Sequence, residues 1–368
     1  MPKSILRSST VATPVRAAAP LAAKPPASEP KAKGSLPQDQ LTRSAPAQVR
    51  PTSQMLPGQV ALYHALSDAQ RKQFDRVWGA AGTDGQRALV KLLEDGRLLS
   101  SKDLRTGDRL LTHLDRLASQ ALPKGLSRAD VLGSLIVQAQ DPGTISQGAR
   151  GTCTVTTAEY MIAKQSPAEY ARVVADLASA SGQVTLASGA KISRAAGTLA
   201  DDDSGRTAAS RLFEAAMMEY GNGPLSYSNE KDQHGIAGAS VIPGGLPAFA
   251  TTRVLSAVLN ANYETHTTLL GRDRLMNTLK DALAKGQMVP VGMDWKGSTE
   301  KKRSGHEVLV LKIENDRVYY RNPWGETYPP GTETDGKTSP KRRIEDRSGV
   351  ESMTLSDFRS RLDNLSRK

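Results

Sequence analysis

"GHEVLVLKIENDRVYYRNPWG", residues 305–325, decides how this chain is read. From Gly305 to Glu314 the segment is dominated by valine, leucine and isoleucine, and from Asp316 to Trp324 a second run carries Val318, Tyr319 and Tyr320, so both halves have strand character. Asn315 and Asp316 stand between them, and both residue types supply tight turns. Two antiparallel strands joined at that turn bring His306, which opens the first, beside Asn322, which closes the second. The asparagine oxygen then accepts from one imidazole nitrogen and leaves the other for a neighbour.

Working outward, "QMVPVGMDW" (287–295) is a further strand, and "DRLMNTLKDALAKG" (273–286) before it is a helix. Nearly everything upstream has a helical period. "VALYHALSDAQRKQFDRVW" (60–78), "GQRALVKLLEDG" (85–96), "DRLLTHLDRLASQAL" (108–122) and "SRADVLGSLIVQAQD" (127–141) place apolar residues at i, i+3, i+4 and i+7. Further helices are expected from Cys153, from Pro167 under a Ser166 cap, over 206–221 with Gly221 as its stop, and over 247–259. A short hairpin is expected around Ser188 and Gly189, and a turn-rich stretch from Asn222 to Gly245. Helices followed by strands predict an α+β protein with a cleft between a helical lobe and an antiparallel β lobe. The expected divisions are a tail (1–57), a helical block (58–141), a helical lobe (142–262) and a β-rich lobe (263–368).

Composition narrows the function classes. The net charge is +11, but residues 1–57 hold eight Lys/Arg against only Glu29 and Asp39, together with ten of the 21 prolines. Such a segment is expected to be disordered. The remaining charge is too dispersed for a nucleic-acid-binding face. No run reaches the roughly 18 apolar residues of a membrane span, and no uninterrupted apolar block marks a secretory signal. A cytoplasmic protein, or one exported without a cleavable hydrophobic signal, is expected. One cysteine in 368 residues excludes a disulfide framework and a multi-thiolate zinc site, and no cofactor is expected.

That cysteine ends "QGARGTC" (147–153). A free cysteine is commonly a small core residue, yet Cys153 falls at an expected helix start, where unpaired N–H groups and the helix dipole stabilise a thiolate. A nucleophile also needs a base and the base an orienting partner, which His306 and Asn322 supply. His64 and His113 lie within the helical repeats and have no partner of matching spacing, so they are read as packing or surface residues.

These residues also resemble a family. Gln147 to Cys153 is similar to the Q-G-x-x-G-x-C segment of papain-like cysteine proteases. Gly305-His306 and Asn322-Pro323-Trp324-Gly325 are similar to the family's histidine and asparagine motifs, the N-P-W-G form being that of the calpain branch. The 153 residues from Cys153 to His306 are close to the roughly 130–150 of the papain type. The resemblance, over about 141–362, implies a papain-like two-lobe fold in which Cys153 is the nucleophile and His306 is base and then acid. Asn322 orients the imidazole, Gln147 and the Cys153 N–H form the oxyanion hole, and Trp324 shields the Asn–His hydrogen bond. Gly151, Gly244 and Gly245 would line an extended peptide or protein substrate. Thr154 departs from the pattern, since family members usually carry tryptophan there, and no acidic calcium-binding loop is recognisable. Lys296, Lys301, Lys302 and Arg303, just before the base, form either a solvated loop or a site that prefers acidic substrate positions.

Two other functions use the same residues. A transglutaminase or glutamine deamidase works through the same acyl-enzyme, although such folds place histidine closer to cysteine and use an aspartate third. A catalytically silent peptide-binding module would keep the cleft alone.

Overall fold

A computed structural model describes residues 51–236, 239–295, 305–337 and 339–368. The basic run Lys296, Lys301, Lys302 and Arg303 and the first 50 residues lie outside the described residues. Pro51–Gln54 form one 3-10 turn, and the first helix starts on Pro57, whose fixed φ suits a helix start.

The helical block comprises α1 (Pro57–Ala65), α2 (Asp68–Ala80), α3 (Thr83–Glu94), α4 (Arg97–Ser100), α5 (Leu110–Ser119) and α6 (Arg128–Gln140). The periodic stretch 60–78 is two helices, because the Ser67 hydroxyl accepts from Gln70 N–H and the Gln70 side chain accepts from Ser67 N–H. This reciprocal cap starts α2 afresh. There follow α7 (Cys153–Gln165), α8 (Pro167–Ala178), the hairpin β1 (Gln183–Thr185) and β2 (Lys191–Ser193), then α9 (Ala208–Gly221). The Ser166 hydroxyl caps α8 as expected. Asn222–Gly245, expected to be turns, instead contains a three-stranded antiparallel sheet of β3 (Ser226–Ser228), β4 (Gln233–Ile236) and β5 (Ala239–Pro243). These strands are too short to show an alternating pattern.

One apolar core runs through all of these helices and across residues 141–142. Leu110 and Leu114 of α5 and Leu132, Leu135 and Ile136 of α6 are fully buried in the same cluster as Tyr170, Val174, Leu212 and Phe213. Polar groups bridge the same boundary: Tyr170 OH donates to Gln138 Oε1 (2.8 Å), and Gln138 Nε2 donates to Ser210 Oγ (2.7 Å). α7 lies at the centre, with every residue from Thr154 to Ala163 buried, which removes the one-sided pattern of a surface helix.

After α10 (Ala248–Leu259) the chain forms β6 (Glu264–Thr267), α11 (Arg272–Ala284), β7 (Val289–Asp294), β8 (Gly305–Glu314), β9 (Arg317–Arg321), β10 (Arg343–Ile344), β11 (Val350–Thr354), α12 (Leu355–Arg361) and β12 (Leu362–Arg367). They make a seven-stranded antiparallel sheet in the order β10-β11-β9-β8-β7-β12-β6. Its own core includes Leu279, Val291, Val308, Val310, Val318, Tyr320, Phe358 and Leu365. The β8–β9 turn has Asn315 and Asp316 at φ 49° and 57°, the left-handed pair required by a two-residue hairpin loop. The protein is thus mixed α+β. Among the described residues no helix is long and apolar enough to cross a membrane.

Candidate active site

Cys153 is the first residue of α7 and is half-buried. α7 packs against β8, so that Glu307 of β8 and Thr154 of α7 are the neighbours whose backbone N–H groups favour a thiolate at Cys153. The expected helix start and the expected base-bearing strand therefore meet at the thiol. Glu214, buried behind it, accepts from the hydroxyls of Thr152 and Thr156, both at 2.7 Å, which secures the first turn of α7.

The hairpin juxtaposes His306 and Asn322, with His306 Nε2 2.9 Å from Asn322 Oδ1. The asparagine amide can face only one way. Its nitrogen lies 3.2 Å from both oxygens of Glu351 and must donate, while its oxygen also accepts from Trp324 N–H at 3.2 Å. The oxygen therefore faces the imidazole, Nε2 carries the hydrogen, and Nδ1 is the basic nitrogen. Among the described residues Nδ1 takes no hydrogen-bond partner, and no hydrogen bond joins His306 directly to Cys153 in this state.

Aromatic rings seal the histidine. Trp324 stacks on it with centroids 4.4 Å apart and planes at 25°, and Trp295 meets it edge-on at 4.6 Å. Glu351, which holds Asn322, is itself held by Arg342 (2.9 Å) and Tyr320 OH (3.1 Å). The guanidinium of Arg342 lies 5.2 Å from the Trp295 ring centre. Sequence reading did not find Trp295, Arg342 or Glu351. For Trp295 a signal existed, because it ends the strand whose Met293 pairs with His306.

Gln147 is buried, and its N–H donates to Pro323 O (2.9 Å), tying the loop before Cys153 to the N-P-W-G loop. Ser146 Oγ adds a bond to Trp324 O (2.9 Å). The Gln147 side-chain amide donates to Arg150 O (2.6 Å), while its oxygen is buried without a partner. Gly148 needs to be glycine, because its φ is 56° and a Cβ would overlap Ser204 O. Across the loop, a Cβ on Gly151 would sit 3.1 Å from the carbonyl carbon of Gly244. Asp232 holds the two segments together by accepting from Gly151 N–H (2.7 Å) while its backbone oxygen accepts from Gly244 N–H (2.8 Å). Gly245, at φ 116°, follows.

Ionisation at the site follows from burial. Burial pulls the His306 imidazole down to about 4, against the hydrogen bond to Asn322, and the positive charge of Arg342 acts in the same direction as burial. Burial first, and then the charge of Glu307, push the Cys153 thiol up to about 12, while the nearby backbone N–H groups of Glu307 and Thr154 act the other way. Thiol and imidazole are therefore both neutral at neutral pH. Such a pair works by general-base transfer at the moment of attack rather than through a standing ion pair.

Glu307 was also missed. Its carboxyl, pointing away from His306 along the alternation of the strand, accepts from Thr251 Oγ1 (3.1 Å) and Thr154 Oγ1 (3.4 Å), and its second oxygen is buried without a partner. Thr154, which stands where the resembling family usually has tryptophan, is thus a hydrogen-bond donor to this acid.

A cation site is weak here. Among the described residues Asp103, Asp108 and His113 bring ligand atoms within 4.8 Å of one another. Asp103, however, already accepts from Arg105 N–H, Thr106 N–H and hydroxyl, Asp108 N–H and His113 Nε2, which fits a loop cap rather than a metal ligand set. His113 is thus a packing residue with a partner, and His64 is exposed. No protein-family model matches the chain, and no curated protein matches it.

Proposed function

We propose that the protein is a papain-like cysteine hydrolase, most simply an endopeptidase, with Cys153 as nucleophile, His306 as base and then acid, and Asn322 as orienter. The helical core carrying the nucleophile and the sheet carrying the base would be the two lobes of that fold. The observation that carries the reading is the imidazole fixed by Asn322 under Trp324, with its basic Nδ1 unengaged and its strand packed against the helix that Cys153 begins.

In the proposed reaction Nδ1 takes the thiol proton as sulfur bonds to the amide carbon. The developing oxyanion is met by the Cys153 N–H and by the Gln147 amide after it leaves Arg150 O. The proton on Nδ1 then passes to the departing amine as the C–N bond breaks, leaving a thioester that water hydrolyses with His306 as base. Gly151 and Gly244, whose lack of side chains lets the two segments pack closely, and Gly245, which has open space beside it, would offer backbone to an extended peptide.

A peptidyl epoxide or chloromethyl ketone tests this directly. Wild type is expected to be labelled at Cys153, and His306→Ala to be labelled about 10²- to 10⁴-fold more slowly. Equal labelling of the two refutes the proposal. Ammonia release from glutamine without chain cleavage would instead identify the deamidase chemistry.

A further inference from the structure

We infer that Glu307, the residue after the candidate base, is a positioning residue for the nucleophile: its buried carboxyl, clamped by Thr154 and Thr251 beside Cys153, suppresses the thiolate when ionised and permits it when protonated. The inference rests on Cys153 being the nucleophile.

Three observations carry it. First, a buried carboxyl stands directly before an apolar run, since Val308, Leu309 and Val310 follow it, all buried. Burying an acid without a countercharge is costly. Second, among the described residues the surroundings supply two hydroxyl donors and no cation. Thr154 comes from α7 and Thr251 from α10, while Gly292 lies opposite on β7 and offers no side chain. On β8 itself, His306 faces the other side against Trp295 and Trp324, and the apolar Leu275, Met276, Leu279 and Ala282 of α11 pack on that other side with Val308 and Val310. Third, one carboxyl oxygen is buried with no partner. A protonated acid tolerates that arrangement better than a carboxylate, whose charge would be spread over both oxygens.

Burial accordingly pushes the Glu307 carboxyl up to about 7, against the two hydroxyl bonds. Cys153 is, among the described residues, the group whose ionisation responds to its charge. The proton balance is simple. With Glu307 neutral, the Cys153 proton moves to His306 Nδ1 and the carboxyl keeps its own. With Glu307 ionised, the same transfer would create an anion beside an anion, so the proton stays on sulfur. The site is therefore favoured by mild acid.

The test is the rate of Cys153 alkylation by iodoacetamide in the full chain between about pH 5.5 and 8.5. Glu307→Gln keeps an acceptor for both hydroxyls but cannot ionise. Its rate relative to wild type is expected to be near one at the acid end and to rise at least about tenfold at the alkaline end, the factor attached to one unit of thiol pKa. Thr251→Val removes a donor that favours the carboxylate, so the pH at which wild-type reactivity begins to lag is expected to move up in that variant. Thr251→Val keeps the test decisive should Glu307→Gln not fold. Superimposable profiles for wild type and Glu307→Gln, or no upward movement in Thr251→Val, overturn the inference. His306→Ala is run alongside: if it alkylates as fast as wild type the triad fails, whereas a slow His306→Ala with superimposable Glu307→Gln and wild-type profiles leaves the triad and removes the role of Glu307.

Discussion

Replacing His306 by glutamine is expected to make the protein less sensitive to acid. In the folded chain burial holds the imidazole neutral down to about 4, whereas a histidine in water titrates near 6.5. The folded state thus binds fewer protons than the unfolded state between those values, so stability falls as pH falls. The contribution is present above 6.5 and is lost as pH drops through the folded value. The whole gap of 2.5 units corresponds to about 3.4 kcal/mol at about 1.36 kcal/mol per unit. Over a practical window from about pH 7.5 to 4.5 the same relation releases about 2.5 kcal/mol. Glutamine can donate to Asn322 Oδ1 from about the position of Nε2, which retains the bond now measured at 2.9 Å. Urea unfolding of wild type and His306→Gln at the two ends of this window measures the effect. Other titrating groups are common to both proteins and cancel in the difference. The variant is expected to gain about 2.5 kcal/mol on wild type as pH falls. Parallel stability curves would show that His306 is freely protonated in the fold, and the account of its sealed pocket would be wrong.

Other perturbations test other parts of the structure. Asn322→Ala removes the acceptor at 2.9 Å and a donor to Glu351, and labelling of Cys153 by a peptidyl probe is expected to slow about ten- to a hundredfold, the range for one hydrogen bond to a charged group. An unchanged rate would remove Asn322 from the site. Gly148→Ala forces a Cβ into Ser204 O at φ 56°, and a loss of about 2–4 kcal/mol is expected in urea unfolding, with wild-type stability as the contrary result. Leu135→Ala empties a fully buried position of α6 and is expected to cost about 2–5 kcal/mol. Because α6 packs on α8 and α9, amide exchange should quicken in those helices also, and unchanged protection there would contradict a shared core.

What could be read from the sequence was what local geometry determines. Two apolar runs separated by a two-residue turn mark the hairpin and the residues at its open end, 16 apart, but an unbroken register would set Asn322 opposite Leu309, and it is the register shift between Val310 and Lys312 that turns it to the face of His306. The helix start at Cys153 and the Ser166 cap are equally local. The helical block was legible as helices but not as part of a larger core. An amphipathic face announces burial without naming what covers it, and only the packing of α5 and α6 on α8 and α9 does that. Strands β3, β4 and β5 escaped because three to five residues cannot establish a period of two.

Glu307 is the most instructive omission. In the string of residues it is one charge at the mouth of an apolar strand, where a solvent-facing position is the ordinary reading. Its environment is made by Thr154, 153 residues away, and Thr251, 56 residues away, neither of which carries a motif on its own. The same holds for Glu351 and Arg342, whose ion pair fixes the Asn322 amide from a neighbouring strand. The bonding groups of the candidate triad were therefore legible, whereas the groups that set their protonation were not. Reactivity depends on both. Burial first, and then an acid beside the thiol and a cation behind the imidazole, oppose charge separation between Cys153 and His306, so the resting pair is kept neutral. Such a site would hold an unreactive thiol until a bound substrate supplies the carbon that sulfur attacks, and its dependence on pH would report Glu307 as much as the triad itself.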